Sequence, residues 1–206
     1  LALLWSTPVG TAFALRVMGL GLLIVGLFIG RLGVALTLIG SALTLWSFTL
    51  TGHIPTLDNP MLNALLLFHL VAISFWIGVL TPLRALASDA SKIATATALG
   101  ARFGKRAAAF VPLLIIAGVF MTYTLVGSVS ALFRSSYGQA LLLKVLLVAG
   151  LLGLAAANKL RFIPQMAKGD TAAAKHLAKS ISLEWIVIAA VLLTTAVLTS
   201  VLTLPN

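Results

Sequence analysis

Histidine and methionine are the residue types in this chain that could hold a metal ion. The 206 residues contain three histidines and four methionines, but no cysteine. The candidates in or beside long apolar segments are His53, His69, Met61, Met121 and Met18. Thioether sulfur suits Cu(I), and imidazole suits Cu(I) or Cu(II), so a methionine and histidine set without cysteine indicates a copper site.

Packing in an apolar core is the alternative explanation for these residues, and it is more plausible for the methionines than for His69. Methionine commonly fills gaps in apolar cores, which favours packing for each of the methionines taken singly. His53 on its own is typical of a loop at a membrane edge. His69 lies inside the apolar run 61–83, where a histidine costs free energy unless it is paired. This position favours a function as ligand or proton carrier.

The composition places these residues in a membrane protein. Hydrophobic residues make up 61% of the chain and charged residues 9%, whereas a soluble domain carries about 25% charged residues. We predict an all-α fold, a polytopic transmembrane bundle of about six helices, as a single domain over residues 1–206. The apolar segments cover residues 10–30, 33–52, 61–83, 107–127, 137–157 and 184–204. None alternates with a period of two, as barrel strands do.

Positive charges orient the predicted helices. Arg31 and the basic stretches 84–106 and 159–179 fall on one side and hold most of the 14 Lys and Arg residues. The positive-inside rule makes that side cytoplasmic, and it explains the net charge of +10 without a nucleic acid partner. The loop with His53 and the C-terminus are then outside. Within the first basic stretch, we expect residues 85–99 to form a short interfacial helix.

Helical rise gives each candidate a depth. At about 1.5 Å per residue, His69 lies roughly 12 Å below the outer surface and Lys144 about 10 Å below it. The methionines of the set fall in the same outer half. His53 can share an ion with His69 only if the end of the second helix sits below the surface. Otherwise, the two histidines are successive stations on one path.

Three more residues are assigned supporting roles. Trp76 follows His69 by seven residues, close to two helical turns, so both lie on one face. Lys144 would repel a nearby copper ion, so it must snorkel outward, lose its proton or pair with a carboxylate, for which Asp58 is within reach. Glu184 lies near the cytoplasmic end. We expect it to form an ion pair with Arg102, Arg106 or Lys179.

Four stretches of sequence occur in an order that is typical of one known family. The first is TGH followed by FHLVAISFWIGVLTPL, and the second is ARFGKRAAAFVPLLIIAGVFMTY. The third is YGQALLLKVLLVAGLLGLAAANKLRFIPQM, and the fourth is HLAKSISLEWIVIAAVLLTTAVLTSVLTLPN. Together they resemble the copper resistance protein D (CopD) family of bacterial inner-membrane proteins, over residues 50–206. The chain departs from the family's motifs at Val79, Gly104, Ala117 and Lys159.

The resemblance implies a multi-pass protein of the bacterial cytoplasmic membrane that binds and moves copper and is not an enzyme. It implies copper as the bound metal and a periplasmic CopC-like copper-binding protein or domain as partner. The expected path leads from His53 and Met61 to His69, with Trp76 closing it below. Because the sequence starts at Leu1 without Met, we expect a longer protein.

Two alternatives stay open. The family is distantly similar to membrane b-type cytochromes, so haem b held by His69 and a second histidine is one of them. Two axial histidines need matched depths on facing helices, which His53 and His69 do not show. The other alternative is a non-catalytic membrane subunit of a larger complex.

Overall fold

The computed structural model describes residues 7–54, 57 and 59–204, and all regular secondary structure in these residues is helical. Six stretches are long and apolar enough to cross a membrane: Pro8–Gly26, Gly30–Leu50, Pro60–Ala87, Ala90–Val126, Ser136–Ala167 and Thr171–Ser200. The prediction of an all-α polytopic bundle with six membrane helices is confirmed, and the chain is a multi-pass membrane protein.

We number the α-helices of the described residues in chain order. They are α1 (Pro8–Gly26), α2 (Gly30–Ser47), α3 (Pro60–Ala87), α4 (Ile93–Val126), α5 (Val129–Arg134), α6 (Ser136–Ala157), α7 (Ile163–Ala167) and α8 (Thr171–Ser200). A π-helical turn, Asn158–Phe162, joins α6 to α7. The chain divides into two compact units, Leu1–Val71 and Ala72–Asn206. The sequence-based assignment of one domain over residues 1–206 stays a prediction.

In the first unit, glycines bring α1 and α2 into backbone contact. A Cβ built on Gly19 would lie 2.5 Å from the Thr44 hydroxyl and 2.6 Å from the Gly40 carbonyl oxygen. One built on Gly26 would lie 2.7 Å from the carbonyl oxygen of Gly33. No side chain fits at these distances, so the hairpin depends on small residues, as close membrane helix pairs do.

Polar groups stabilise the open end of this hairpin, where α1 begins and α2 ends. The Thr7 hydroxyl accepts a hydrogen bond of 3.2 Å from the Gly10 backbone N–H, which caps α1. Arg16 donates from Nε to the Ser47 hydroxyl at 3.1 Å, and its guanidinium lies 4.3 Å from the ring centroid of Phe48. This arginine therefore has partners inside the unit, which stabilise its charge at membrane depth.

In the second unit, the first basic stretch is more helical than predicted. Residues 85–99 do not form a separate interfacial helix, because α3 continues to Ala87 and α4 begins at Ile93. Asp89 accepts a hydrogen bond of 3.0 Å from the Ser91 backbone N–H and forms a 3.0 Å ion pair with Lys92. This short capped turn connects the two long helices, and the Ala-rich sequence after it favours helix.

The second basic stretch behaves in the same way. Helix α8 begins at Thr171, capped by the Asp170 side chain, rather than near residue 184. With 34 residues, α4 is about 51 Å long, compared with about 30 Å for the hydrocarbon core of a bilayer. Small and aliphatic residues bury the extended helix ends against each other, among them Ala87, Ala96, Ile163, Met166, Ala173 and Leu177.

Candidate functional site

The predicted metal ligands are distributed over both units. His53 lies in the turn after α2, His69 in the middle of α3, and Met18 on α1. Met61 lies at the start of α3, still within the first unit, whereas Met121 lies on α4 in the second. Four of the five candidates therefore belong to the first unit.

Burial separates the methionines. Met18 and Met61 are 51% and 59% exposed, so their side chains lie at the surface of the first unit. Met121 is 9% exposed and packs inside the second unit, as a gap-filling methionine does. His53 and His69 are both half-buried.

No cluster of His, Cys, Asp and Glu ligands accompanies these residues in the described part of the chain. Across residues 7–54, 57 and 59–204, no three His, Cys, Asp or Glu residues form a group that could hold a metal ion. The predicted site has a different composition, two histidines with methionines, and it stays a prediction. Lys144 is half-buried on α6, and its expected partner, Asp58, lies outside the described residues.

The most deeply buried charged side chain in the described residues is Glu184, in the second unit. It is 1% exposed, and its Oε2 accepts a hydrogen bond of 3.3 Å from the Trp76 indole N–H. Its Oε1 accepts a hydrogen bond from the Asn158 side-chain amide. The expected ion pair with a basic residue was wrong, because Arg102, Arg106 and Lys179 lie on exposed helix faces.

Three elements position this carboxyl group. The buried residues of α8 around it recur at helical spacing as Leu177, Ile181, Glu184 and Ile188, so Glu184 occupies the core-facing stripe. Trp76 on α3 is held edge-on by Phe103 and Phe110 of α4, with ring centroids 6.1 and 6.5 Å away. The π-helical turn starts at Asn158, and the Asn158 carbonyl accepts from the Ile163 N–H.

Beside the carboxyl group is a cavity of about 180 Å³. Its wall includes Trp76, Asn158, Lys159 and Glu184, together with small and apolar residues of α4 and α6. Gly104 keeps the wall open near Lys159, because a Cβ at this position would lie 3.2 Å from the lysine stem. The Asn158 side-chain oxygen is buried and has no hydrogen-bond partner. The cavity therefore combines a carboxyl group and an amide oxygen, which are hard ligands, unlike the soft thioethers that Cu(I) prefers.

Asn158 is a residue that the sequence analysis did not single out. Its signal in the sequence is weak, since an asparagine at the end of an apolar helix is also a common helix terminator. Glu184 had a stronger signal. The apolar residues at positions 177, 181 and 188 already indicate that its side chain points into the core.

Comparison with known proteins places part of the chain in a family. Residues 97–198 match the family model of copper resistance protein D. The copper transport protein CutJ of Bacillus subtilis (strain 168) is 30% identical over 154 residues, which cover 73% of this chain and 27% of that protein. The chain thus spans about a quarter of the length of the curated relative it matches. No solved structure matches it.

The family match includes Met121, Lys144, Asn158 and Glu184, whereas His53 and His69 lie before it. The resemblance seen in the sequence motifs is confirmed over this region. Residues 97–198 of this chain therefore belong to the copper resistance protein D family.

Proposed function

We propose that this chain is the membrane part of a protein that binds copper and moves it across the bacterial cytoplasmic membrane. The observation that carries the proposal is the match of residues 97–198 to the copper resistance protein D family. The similarity to a relative that is named a copper transport protein supports it, as do the six helices that could cross a membrane.

The proposed copper path enters through the first unit. His53 and Met61 capture the ion at the outer edge, and His69 receives it on α3, with Met18 as a further thioether ligand. These four residues all belong to the first unit. The basic helix ends lie in the cytoplasm under the positive-inside rule. A periplasmic CopC-like protein or domain delivers the copper.

Copper accumulation in cells tests this proposal. Cells that express the full-length protein are compared with cells that express His69→Ala or His176→Ala, and copper is measured by mass spectrometry. His176 is exposed and stacks on Phe162 at the basic end of α8, so it is the matched control. We expect His69→Ala to abolish the accumulation and His176→Ala to retain it, at equal protein levels in the membrane. Unchanged accumulation in His69→Ala would show that His69 is not part of the path.

The visible absorption spectrum of the purified protein provides a second readout. A Soret band that disappears in His69→Ala would indicate haem b and would contradict the proposal. Copper bound in a fixed ratio and lost in the double variant His53→Ala, His69→Ala would support it.

A further inference from the structure

We propose that Glu184, together with Asn158 and Trp76, forms a proton-binding site inside the membrane part of the second unit. The ligand is a proton that reaches the carboxyl group from water through the adjoining cavity. This site is separate from the proposed copper ligands, none of which lines that cavity.

The type of residue at position 184 favours proton binding. Burying a charge is costly unless it is paired with an opposite charge, and both partners of Glu184 are neutral donors, an indole and an amide. A glutamine could offer its oxygen to the same donors without that cost. What a carboxyl group adds is the ability to bind and release a proton, and an ionisable residue at membrane depth is by default a functional one.

Asn158 has a hydrogen-bond acceptor that none of the described residues uses. Its amide nitrogen donates to Glu184, while its amide oxygen is buried without a donor. This orientation suits an ionised carboxylate, which only accepts hydrogen bonds. If the amide turns over, the oxygen faces Glu184 and can accept from a protonated carboxyl group. The pair therefore has a hydrogen-bonded arrangement for each protonation state.

A hydronium ion transfers its proton to Oε1 of Glu184 and leaves water, which converts the carboxylate into a neutral carboxylic acid. No covalent bond within the protein breaks, and only the hydrogen bond from the Asn158 amide nitrogen to Oε1 is lost. The amide of Asn158 rotates about its Cβ–Cγ bond and accepts the new O–H through Oδ1, while the Trp76 indole continues to donate to Oε2. Release reverses these events and returns the proton to water.

The backbone at Asn158 departs from a regular α-helix. The residue starts a π-helical turn, and such turns occur frequently at functional sites. The turn lies between the apolar helix α6 and the basic helix end, so it places the amide where the cavity approaches exposed residues such as Lys159.

The charged surroundings of Glu184 are simple. Lys159 is the other titratable residue that lines the cavity, and no ion pair joins it to Glu184 within the part of the chain that the structure describes. The lining residues from α3, α4 and α6 are apolar apart from the indole of Trp76. Few charged neighbours therefore affect the protonation of this carboxyl group.

Infrared spectroscopy of the full-length protein in liposomes, recorded in H₂O and D₂O from about pH 4 to about pH 10, tests the proposal. A protonated carboxyl group has a C=O stretching band that a carboxylate lacks and that shifts in D₂O. We expect such a band to disappear with rising pH in the wild type and in Asp170→Asn, an exposed cap variant, and to be absent from Glu184→Gln. The difference between the wild-type and Glu184→Gln spectra isolates the band of this one carboxyl group, because the other acidic residues are the same in both proteins.

Asn158→Leu keeps the test decisive if Glu184→Gln does not fold. Loss of the amide should move the band to higher frequency, because the protonated acid loses its acceptor. A wild type with no titrating band in this range, or a band that persists in Glu184→Gln, would overturn the proton site. An unshifted band in Asn158→Leu would overturn the role of Asn158. No copper is present, so these outcomes leave the proposed copper transport untouched.

Discussion

The close contact between α1 and α2 leads to a prediction that two glycines of the same helix can test. Gly19 faces α2, and a Cβ at this position would lie 2.6 Å from the Gly40 carbonyl oxygen and 2.9 Å from the Thr44 backbone nitrogen. Gly21, two residues later, has no neighbouring atom within 4 Å of the same hypothetical Cβ. Gly19→Ala and Gly21→Ala thus make the same chemical change in different surroundings.

The expected magnitudes follow from these distances. Atoms of the backbone cannot move aside as the end of a flexible side chain can, so Gly19→Ala must push the helices apart. Overpacking of this kind costs about 1–3 kcal/mol of unfolding free energy. Gly21→Ala meets open space and should be neutral or stabilising by up to about 1 kcal/mol, because alanine favours helix more than glycine does.

The measurement is an unfolding titration of the purified protein with SDS in mixed micelles, followed by tryptophan fluorescence. Thr44→Ala combined with Gly19→Ala completes the design. The Thr44 hydroxyl is one of the three close atoms and the other two are backbone, so removing it should restore only a minor part of the loss. Equal unfolding free energies for Gly19→Ala and Gly21→Ala would refute the inferred contact.

Three further predictions concern the second unit. Trp76→Phe keeps an aromatic ring against Phe103 but removes the hydrogen-bond donor to the buried Glu184, so it should destabilise the protein by about 1–3 kcal/mol. Trp185 is exposed, so Trp185→Phe should have no such effect. The same SDS titration compares the two variants, and equal stabilities would contradict the hydrogen bond. Hydrogen bonding from Ser91 and the neighbouring Lys92 lower the pKa of Asp89 to about 2. The folded-state pKa is below the ordinary value of about 3.9, so the stabilisation of the turn is present above about pH 4 and is lost as the pH falls towards about 2. Amide exchange at residues 91–93, corrected for intrinsic rates, should therefore accelerate as the pH falls through that window in the wild type. It should not do so in Asp89→Asn. If the proton site drives copper movement, uptake into liposomes should respond to a pH gradient in the wild type and should not in Glu184→Gln; an equal response in both would separate the two proposals.

The transmembrane segments could be predicted from the sequence because runs of about 20 apolar residues carry their own signal. The positions at which the helices end in the basic stretches could not be predicted in this way. Charged residues mark where a helix leaves the hydrocarbon, but a helix stops only where capping and propensity stop it. Asp89 and Asp170 mark those positions here, since both side chains cap the helical segments that follow.

The partners of Glu184 show a second kind of limit. Its depth along α8 follows from helical rise, and the spacing of its neighbours indicates its direction. Which side chains of other helices meet it depends on packing between elements far apart in sequence. Trp76 and Asn158 lie 108 and 26 residues away from Glu184, and the basic residues expected at the same end of the helices do not pair with it.

The length of α4 gives the second unit a mechanical property. About 20 Å of this helix exceeds the thickness of the hydrocarbon core, and no break separates that part from the membrane-spanning part. A tilt of about 10° around the membrane boundary would displace the far end of this extension, together with the helix ends packed against it, by about 3 Å, more than half the rise of one helical turn. Small rearrangements beside the buried cavity can therefore be transmitted to the basic end as movements large enough for another molecule to detect.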